Sequence, residues 1–196
     1  MERSEDAAAT ETALIEQARS GDQLAWENLV RAHQEPVFRF AYLLLGDSAE
    51  AEDTAQETFL RAYRHLHKFD SARPLRPWLL SIAANLARNR RRSLGRYWAM
   101  LRRFYDTSPA AHDHSAEEHS LQHSEAQQLW AAIRRLDQTD QQVLYLRFFL
   151  EFSVEETAQV MGVAPGTVKS RLHRANGRLR TVIERDFPGI REGIET

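Results

Sequence analysis

The segment "SVEETAQVMGVAPGTVKSRLHRA", residues 153–175, leaves the chain little conformational freedom. Ser153 and Glu156 stand in capping-box order: the serine oxygen accepts from the amide three residues on, and the glutamate reaches back to the first. Gly162 falls just past the short helix they open, where the backbone must turn left-handed. Pro165 falls in the first turn of the next helix, where a missing N–H leaves nothing unpaired. Ala158 is small enough for two helices to cross closely, and Val168 and Leu172 return the second helix onto the first. The steps of four and six between Ala158, Gly162 and Val168 predict a helix-turn-helix, whose second helix lies in a DNA major groove.

That second helix has two unlike faces. Val168, Leu172, Ala175, Leu179 and Val182 form an apolar stripe. Pro165, Gly166, Thr167, Lys169, Ser170, Arg171 and Arg174 form its opening turn and polar side, with Arg178 beyond. Arginine can bind guanine edges with two hydrogen bonds, and lysine and serine can bind phosphates or bases. No acid stands between 157 and 183. Asn176-Gly177 is a local misfit that could end the helix early, because a mid-helix glycine costs about 1 kcal/mol.

Charge is segregated elsewhere too, although the 196-residue chain has a net charge of only −2. Residues 1–57 carry thirteen acids and four bases, and 88–103 carry seven arginines and no acid. Such blocks point to different partners for different segments. Upstream of the helix-turn-helix the periodicity is helical throughout, and no alternating strand is found. One short helix ends at Ser20-Gly21-Asp22, a second carries Trp26, Leu29, Val30 and His33, and a third can start at Pro36. Ala51–His67 and Trp78–Arg92 are further helices, separated by a loop containing Pro74 and Pro77. The stretch "DTSPAAHDHSAEEHS", residues 106–120, has no apolar period and reads as a linker. The expected architecture is all-α: two small helical domains, 11–95 and 126–186, joined by a flexible linker, 96–125. Residues 1–10 are expected to be disordered and 187–196 to form a tail.

The same residues resemble a known family. "SVEETAQVMGVAPGTVKSRLHRANGRLR" and "LDQTDQQVLYLRFFLEF" are similar to the promoter-reading end of sigma-seventy-type factors. "DTAQETFLRAYRHLHKFD" and "RPWLLSIAANLARNRRR" are similar to the family's other half. Two halves joined by a short linker resemble an extracytoplasmic-function (group IV) RNA polymerase sigma factor. The resemblance implies that the first domain binds the clamp helices of the polymerase β′ subunit and opens the minus-ten element. It implies that the second domain reads the minus-thirty-five element near the β flap. An anti-sigma protein is an expected partner, and core polymerase and promoter DNA are the others.

By this resemblance, core polymerase meets Asp53, Gln56, Glu57, Phe59 and Leu60. Asp53, Gln56, Glu57 and Leu60 share one helix face, an acidic and amide surface that suits a basic, partly apolar helix. Minus-ten DNA meets Trp78, Asn85, Arg88, Asn89, Arg91 and Arg92, where aromatic and guanidinium planes suit unpaired bases. Trp78 is read first as a core residue, with stacking on DNA as its alternative role. The loop 69–77 is where the family captures a flipped base. Two positions depart from the family: Asn89 stands where an acid is common, and Asp137 where a proline is common.

Other classes find no support. There is no nucleophile–base set and no phosphate loop, so no enzyme, cofactor or small-molecule substrate is expected. There is no cysteine, and His112, His114, His119 and His123 sit in the acidic linker, read as solvated rather than metal-binding. The acidic N-terminus lacks an apolar core, and no run reaches the 18 or so apolar residues of a membrane span, so a cytoplasmic protein is expected. The rival reading is a stand-alone helix-turn-helix regulator, which would bind paired half-sites without polymerase.

Overall fold

The computed structural model describes residues 2–104 and 125–187, with side chains over 10–93 and 127–187. The described residues are helical, with no strand among them. The first domain comprises α1 (Glu2–Arg19), α2 (Gln23–Leu45), α3 (Ser48–His65) and α4 (Leu75–Phe104). The second comprises α5 (Glu125–Arg134), α6 (Gln138–Leu144), α7 (Val154–Met161) and α8 (Pro165–Asp186). The metal-ligand question at the linker histidines falls outside the described residues.

Helix starts follow side-chain chemistry. Asp22 caps α2 by accepting from the amides of Leu24 and Ala25, and Asp47 caps α3 through Glu50 N–H. Asp137, at the position where the family favours proline, caps α6 through the amides of Thr139 and Asp140. Its departure thus replaces one helix-start device with another.

Four boundaries differ from the sequence expectation. α1 begins at Glu2, inside the segment expected to be disordered; Ala7–Ala9 are strong helix formers. α2 does not restart at Pro36 but runs through it. Ala25, Leu29, Val37, Phe40 and Leu44 form one buried stripe across the proline, and burial of that stripe offsets the roughly 3 kcal/mol an interior proline costs. Ala32, whose carbonyl loses its i+4 donor to that ring, is exposed to water. α4 begins at Leu75, so Pro77 lies in its first turn rather than in the loop, where its absent N–H would be unpaired anyway. α4 also continues to Phe104, past the point where the linker was expected to begin.

The core of the first domain comes from Ile15, Leu29, Val37, Phe40, Leu66, Leu75, Leu79 and Leu80, each at most 2% exposed. In the second domain, Tyr145, Leu144, Leu146, Phe152 and Val168 are equally buried. Trp130 closes on Phe149 with ring centroids 4.5 Å apart. The chain makes a π-helical turn over Tyr145–Phe149 before the helix-turn-helix.

The capping box is complete: Ser153 Oγ accepts from Glu156 N–H, and the Glu156 carboxylate accepts from Ser153 N–H. Gly162 ends α7 with φ 64° and donates to the carbonyls of Ala158 and Gln159. A Cβ at Gly162 meets nothing within 4 Å, so only backbone strain opposes a side chain there. Gly162→Ala is therefore expected to cost about 1 kcal/mol in a denaturant melt while leaving DNA specificity intact. An unchanged melt would remove the left-handed turn from the account.

Candidate polymerase and promoter interfaces

A groove of about 1080 Å³ opens between α2 and α3. Trp26, Val30 and Phe38 line it from α2, and Gln56, Phe59, Leu60 and Tyr63 from α3. Trp26 lies 6.4 Å from the Phe59 ring and 5.2 Å from Tyr63, so the floor is an aromatic cluster. Leu60 is 56% exposed and Tyr63 51%, large apolar surface that this chain does not cover itself. Tyr63 points into the groove, whereas its neighbour Ala62 is fully buried. Glu35 and Glu52 line the groove as well, and among the described lining residues there is no lysine or arginine.

Of the five expected core-binding residues, Gln56, Phe59 and Leu60 line this groove. Asp53 and Glu57 lie on the same helix outside the lining and are engaged by arginines. Arg61 donates to Glu57 at 2.7 Å, and this hydrogen bond, despite some opposing burial, holds the Glu57 carboxyl below its ordinary range. Arg90, from α4, lies 2.5 Å from Glu50 and 3.6 Å from Asp53. Reading α3 alone missed the α2 wall. Its signal was a second apolar stripe, Trp26, Val30 and Phe38 at multiples of four, beside the buried stripe of Ala25, Leu29 and Val37.

On α4, Asn85, Arg88, Asn89 and Arg92 fall on one side of the helix, with Asn85, Asn89 and Arg92 exposed. Arg88 donates to the Asn85 side-chain oxygen at 3.0 Å, which pre-orders both. Trp78 is half-buried, with its ring 4.6 Å from that of Phe69, and lies off that row, about two turns before it. Arg91 lies off the row as well and donates to the carbonyl of Leu44 at 3.0 Å, tying α4 to the end of α2. A guanidinium so engaged satisfies a helix C-terminal carbonyl before it meets DNA.

On α8, Pro165 opens the helix and Val168 and Ala175 are fully buried. Pro165, Gly166, Lys169, Ser170 and Arg174 are exposed, and Thr167 and Arg171 are partly so. Ser170 Oγ donates to Thr167 O, and Arg174 Nε donates to Ser170 O, which orients the guanidinium along the helix. The helix passes unbroken through Asn176-Gly177. Arg178, grouped with the outer donors by periodicity, is taken by the second domain itself: it lies 2.5 Å from the Asp140 carboxylate and 3.3 Å from Asp137. The hydrogen bond to Asp140 raises the Arg178 guanidinium above its ordinary value. Asp140 is 3% exposed, so removing its cation leaves a buried carboxylate unpaired. Arg178→Gln is expected to lower the melting temperature and to leave the salt dependence of DNA binding unchanged. A shallower slope of binding against salt would instead place Arg178 on a phosphate.

Both halves of the chain are similar to known proteins. Residues 29–97 match the model of sigma-70 region 2, and residues 126–179 match that of sigma-70 region 4. The chain is 31% identical to the ECF RNA polymerase sigma factor SigW of Bacillus subtilis, over 85% of this chain and 92% of that one. It is 33% identical to the ECF RNA polymerase sigma factor BldN of Streptomyces coelicolor, over 88% of this chain and 66% of that longer protein. The sigma factor RpoE, solved with the anti-sigma factor NepR from Bartonella quintana, superposes with a TM-score of 0.57 at 26% identity, over 82% of this chain and 97% of that one. The chain therefore belongs to the extracytoplasmic-function sigma factors of the sigma-70 family.

Proposed function

We propose that this chain is the promoter-specificity subunit of a bacterial RNA polymerase, binding core enzyme through the α2–α3 groove and promoter DNA through α4 and α8. The observation that carries the reading is the pairing of a partner-sized apolar groove with two basic, outward-facing helices in one chain. A stand-alone DNA-binding regulator has no use for the groove. A partner helix with an apolar stripe and basic flanks suits its aromatic floor and acidic lining, as the β′ clamp helices of core polymerase would supply. Asp53 and Glu57 then exchange Arg90 and Arg61 for the partner's cations.

In this reading the minus-ten strand runs along Asn85, Arg88, Asn89 and Arg92, with Arg91 and Trp78 supporting from behind. The minus-thirty-five element is read by Lys169, Ser170, Arg171 and Arg174, while Pro165, Gly166 and Thr167 bring the helix N-terminus to a phosphate. Exposed Phe148, within the π-turn, offers the second domain an apolar contact for the β flap. The protein performs no chemistry of its own and needs no cofactor. It acts in the cytoplasm, where polymerase is; no described helix is long and apolar enough to cross a membrane. An anti-sigma protein, as NepR is for RpoE, would inhibit by covering the same groove.

Titrating labelled protein with purified core polymerase tests the groove assignment. The expected result is one saturable complex, abolished by a peptide copy of a β′ clamp helix. Saturable binding that such a peptide leaves untouched would move the core interface elsewhere.

A further inference from the structure

The fold does not explain glycine at position 177. Gly177 stands in the interior of α8, where glycine is the poorest helix former after proline. Two needs ordinarily keep a glycine in a fold: a left-handed backbone, or a neighbour that a side chain would strike. Gly177 has neither. The left-handed glycines among the described residues are Gly21, Gly46 and Gly162. A Cβ built at Gly177 meets nothing within 4 Å. The free protein gives up helix stability here and gains no packing in return.

Its surroundings on α8 are specific. Gly177 lies nine residues, about two and a half turns, past buried Val168, so it faces directly away from the helix's seat. His173, Arg174, Arg180 and Thr181 surround it at steps of three and four, and all are exposed. Among the described residues no acid lies within ion-pair distance of Arg174 or Arg180, whereas Arg178 has Asp140 and Arg185 has Asp186. Thr181 Oγ donates to Gly177 O at 3.1 Å, so its proton is spent and the guanidinium groups supply the attraction. Glu184, about two turns beyond Gly177 on the same side, closes the basic face. A bare patch of helix backbone between two uncommitted guanidinium groups fits a narrow polyanion pressed against it.

The dimensions of duplex DNA put such a strand there. A recognition helix sets its N-terminal residues on base edges. Gly177 lies about 10 Å along the axis from Ser170, and the major groove is about 12 Å wide. With Ser170 reading bases in mid-groove, Gly177 falls at the wall, where the sugar-phosphate ridge rises.

We propose that Gly177 is the point where one sugar-phosphate strand of the minus-thirty-five duplex lies directly against the backbone of α8, with Arg174 and Arg180 on either side of a phosphate. The proposal rests on α8 being the minus-thirty-five reader. A side chain at 177 would stand between the strand and the helix and hold the two apart.

Gly177→Ala separates fold from function, because the two move in opposite directions. Its melting temperature is expected to rise by about 2–4 °C, with unchanged affinity for core polymerase. Holoenzyme assembled from this variant should bind a promoter fragment that the parent transcribes about tenfold more weakly. Gly177→Gln, neutral but longer, should bind more weakly still. Arg180→Gln should lower affinity on cognate and scrambled duplexes alike and reduce the slope of log affinity against log salt by about one. Neutral methylphosphonates placed singly along the element should reveal one phosphate that weakens the parent but not Arg180→Gln. Parental promoter affinity in both Gly177 variants would overturn the proposal. So would a lower melting temperature for Gly177→Ala, which would put a protein neighbour at the site. Loss of core affinity in place of promoter affinity would give the patch to the polymerase and overturn it equally. If Arg171→Ala and Arg174→Ala also keep full promoter affinity, the minus-thirty-five reading itself fails; if they lose it while the Gly177 variants do not, only the close approach falls.

Discussion

Replacing Leu60 with aspartate is expected to weaken binding to core RNA polymerase by about 30- to 1,000-fold while leaving the melting temperature nearly unchanged. The two halves of that expectation have separate causes. Leu60 is 56% exposed in the free chain, so the substitution buries no charge and opens no cavity. It lines the groove with Trp26, Phe59 and Tyr63, so a partner helix seated there must desolvate the new carboxylate against aromatic walls. Central apolar anchors of this kind are worth about 2–4 kcal/mol each when lost, and an unpaired polar group adds its own desolvation cost. Equilibrium titration of labelled protein with core enzyme reads the affinity, and thermal unfolding reads the control. Unchanged affinity in a folded variant would remove the groove from the core interface.

The second large effect is expected on promoter DNA. Arg171→Ala and Arg174→Ala should each cost about 1–3 kcal/mol on the cognate minus-thirty-five sequence. Their sites are three residues apart, so the double variant need not be additive. Neither arginine pairs with an acid among the described residues, unlike Arg178, so the fold should not suffer. The informative control is scrambled DNA. Loss confined to the cognate site means that the guanidinium groups read base edges, whereas equal loss on both means that they bind phosphate and that specificity lies with Lys169 and Ser170.

The helix-turn-helix was legible because its parts are local. Ser153–Glu156, Gly162 and Pro165 each act within a few residues, and each stands where its chemistry required. The misreadings involve tertiary context. Pro36 is a helix-start signal by itself, but the buried stripe from Ala25 to Leu44 carries α2 through it. Arg91 and Arg178 resemble DNA-binding arginines in a basic run until the structure brings Leu44 O and Asp140 to them across 47 and 38 residues. The α2 wall of the groove was hidden for the same reason. Trp26 and Val30 read as one face with Leu29, but Leu29 is buried while α3 leaves Trp26 and Val30 half-covered. Contact between the domains was not legible at all, because Arg76 and Phe152 are 76 positions apart and stand in two separate motifs with nothing in either to pair them.

The most direct test of the central claim is run-off transcription with purified core polymerase on a library of promoter fragments. The account predicts that adding this chain yields discrete transcripts from templates sharing one minus-ten and one minus-thirty-five sequence, and that Leu60→Asp abolishes them. Tight binding of the chain alone to operator DNA, with no promoter-specific transcript from core plus protein, would contradict it.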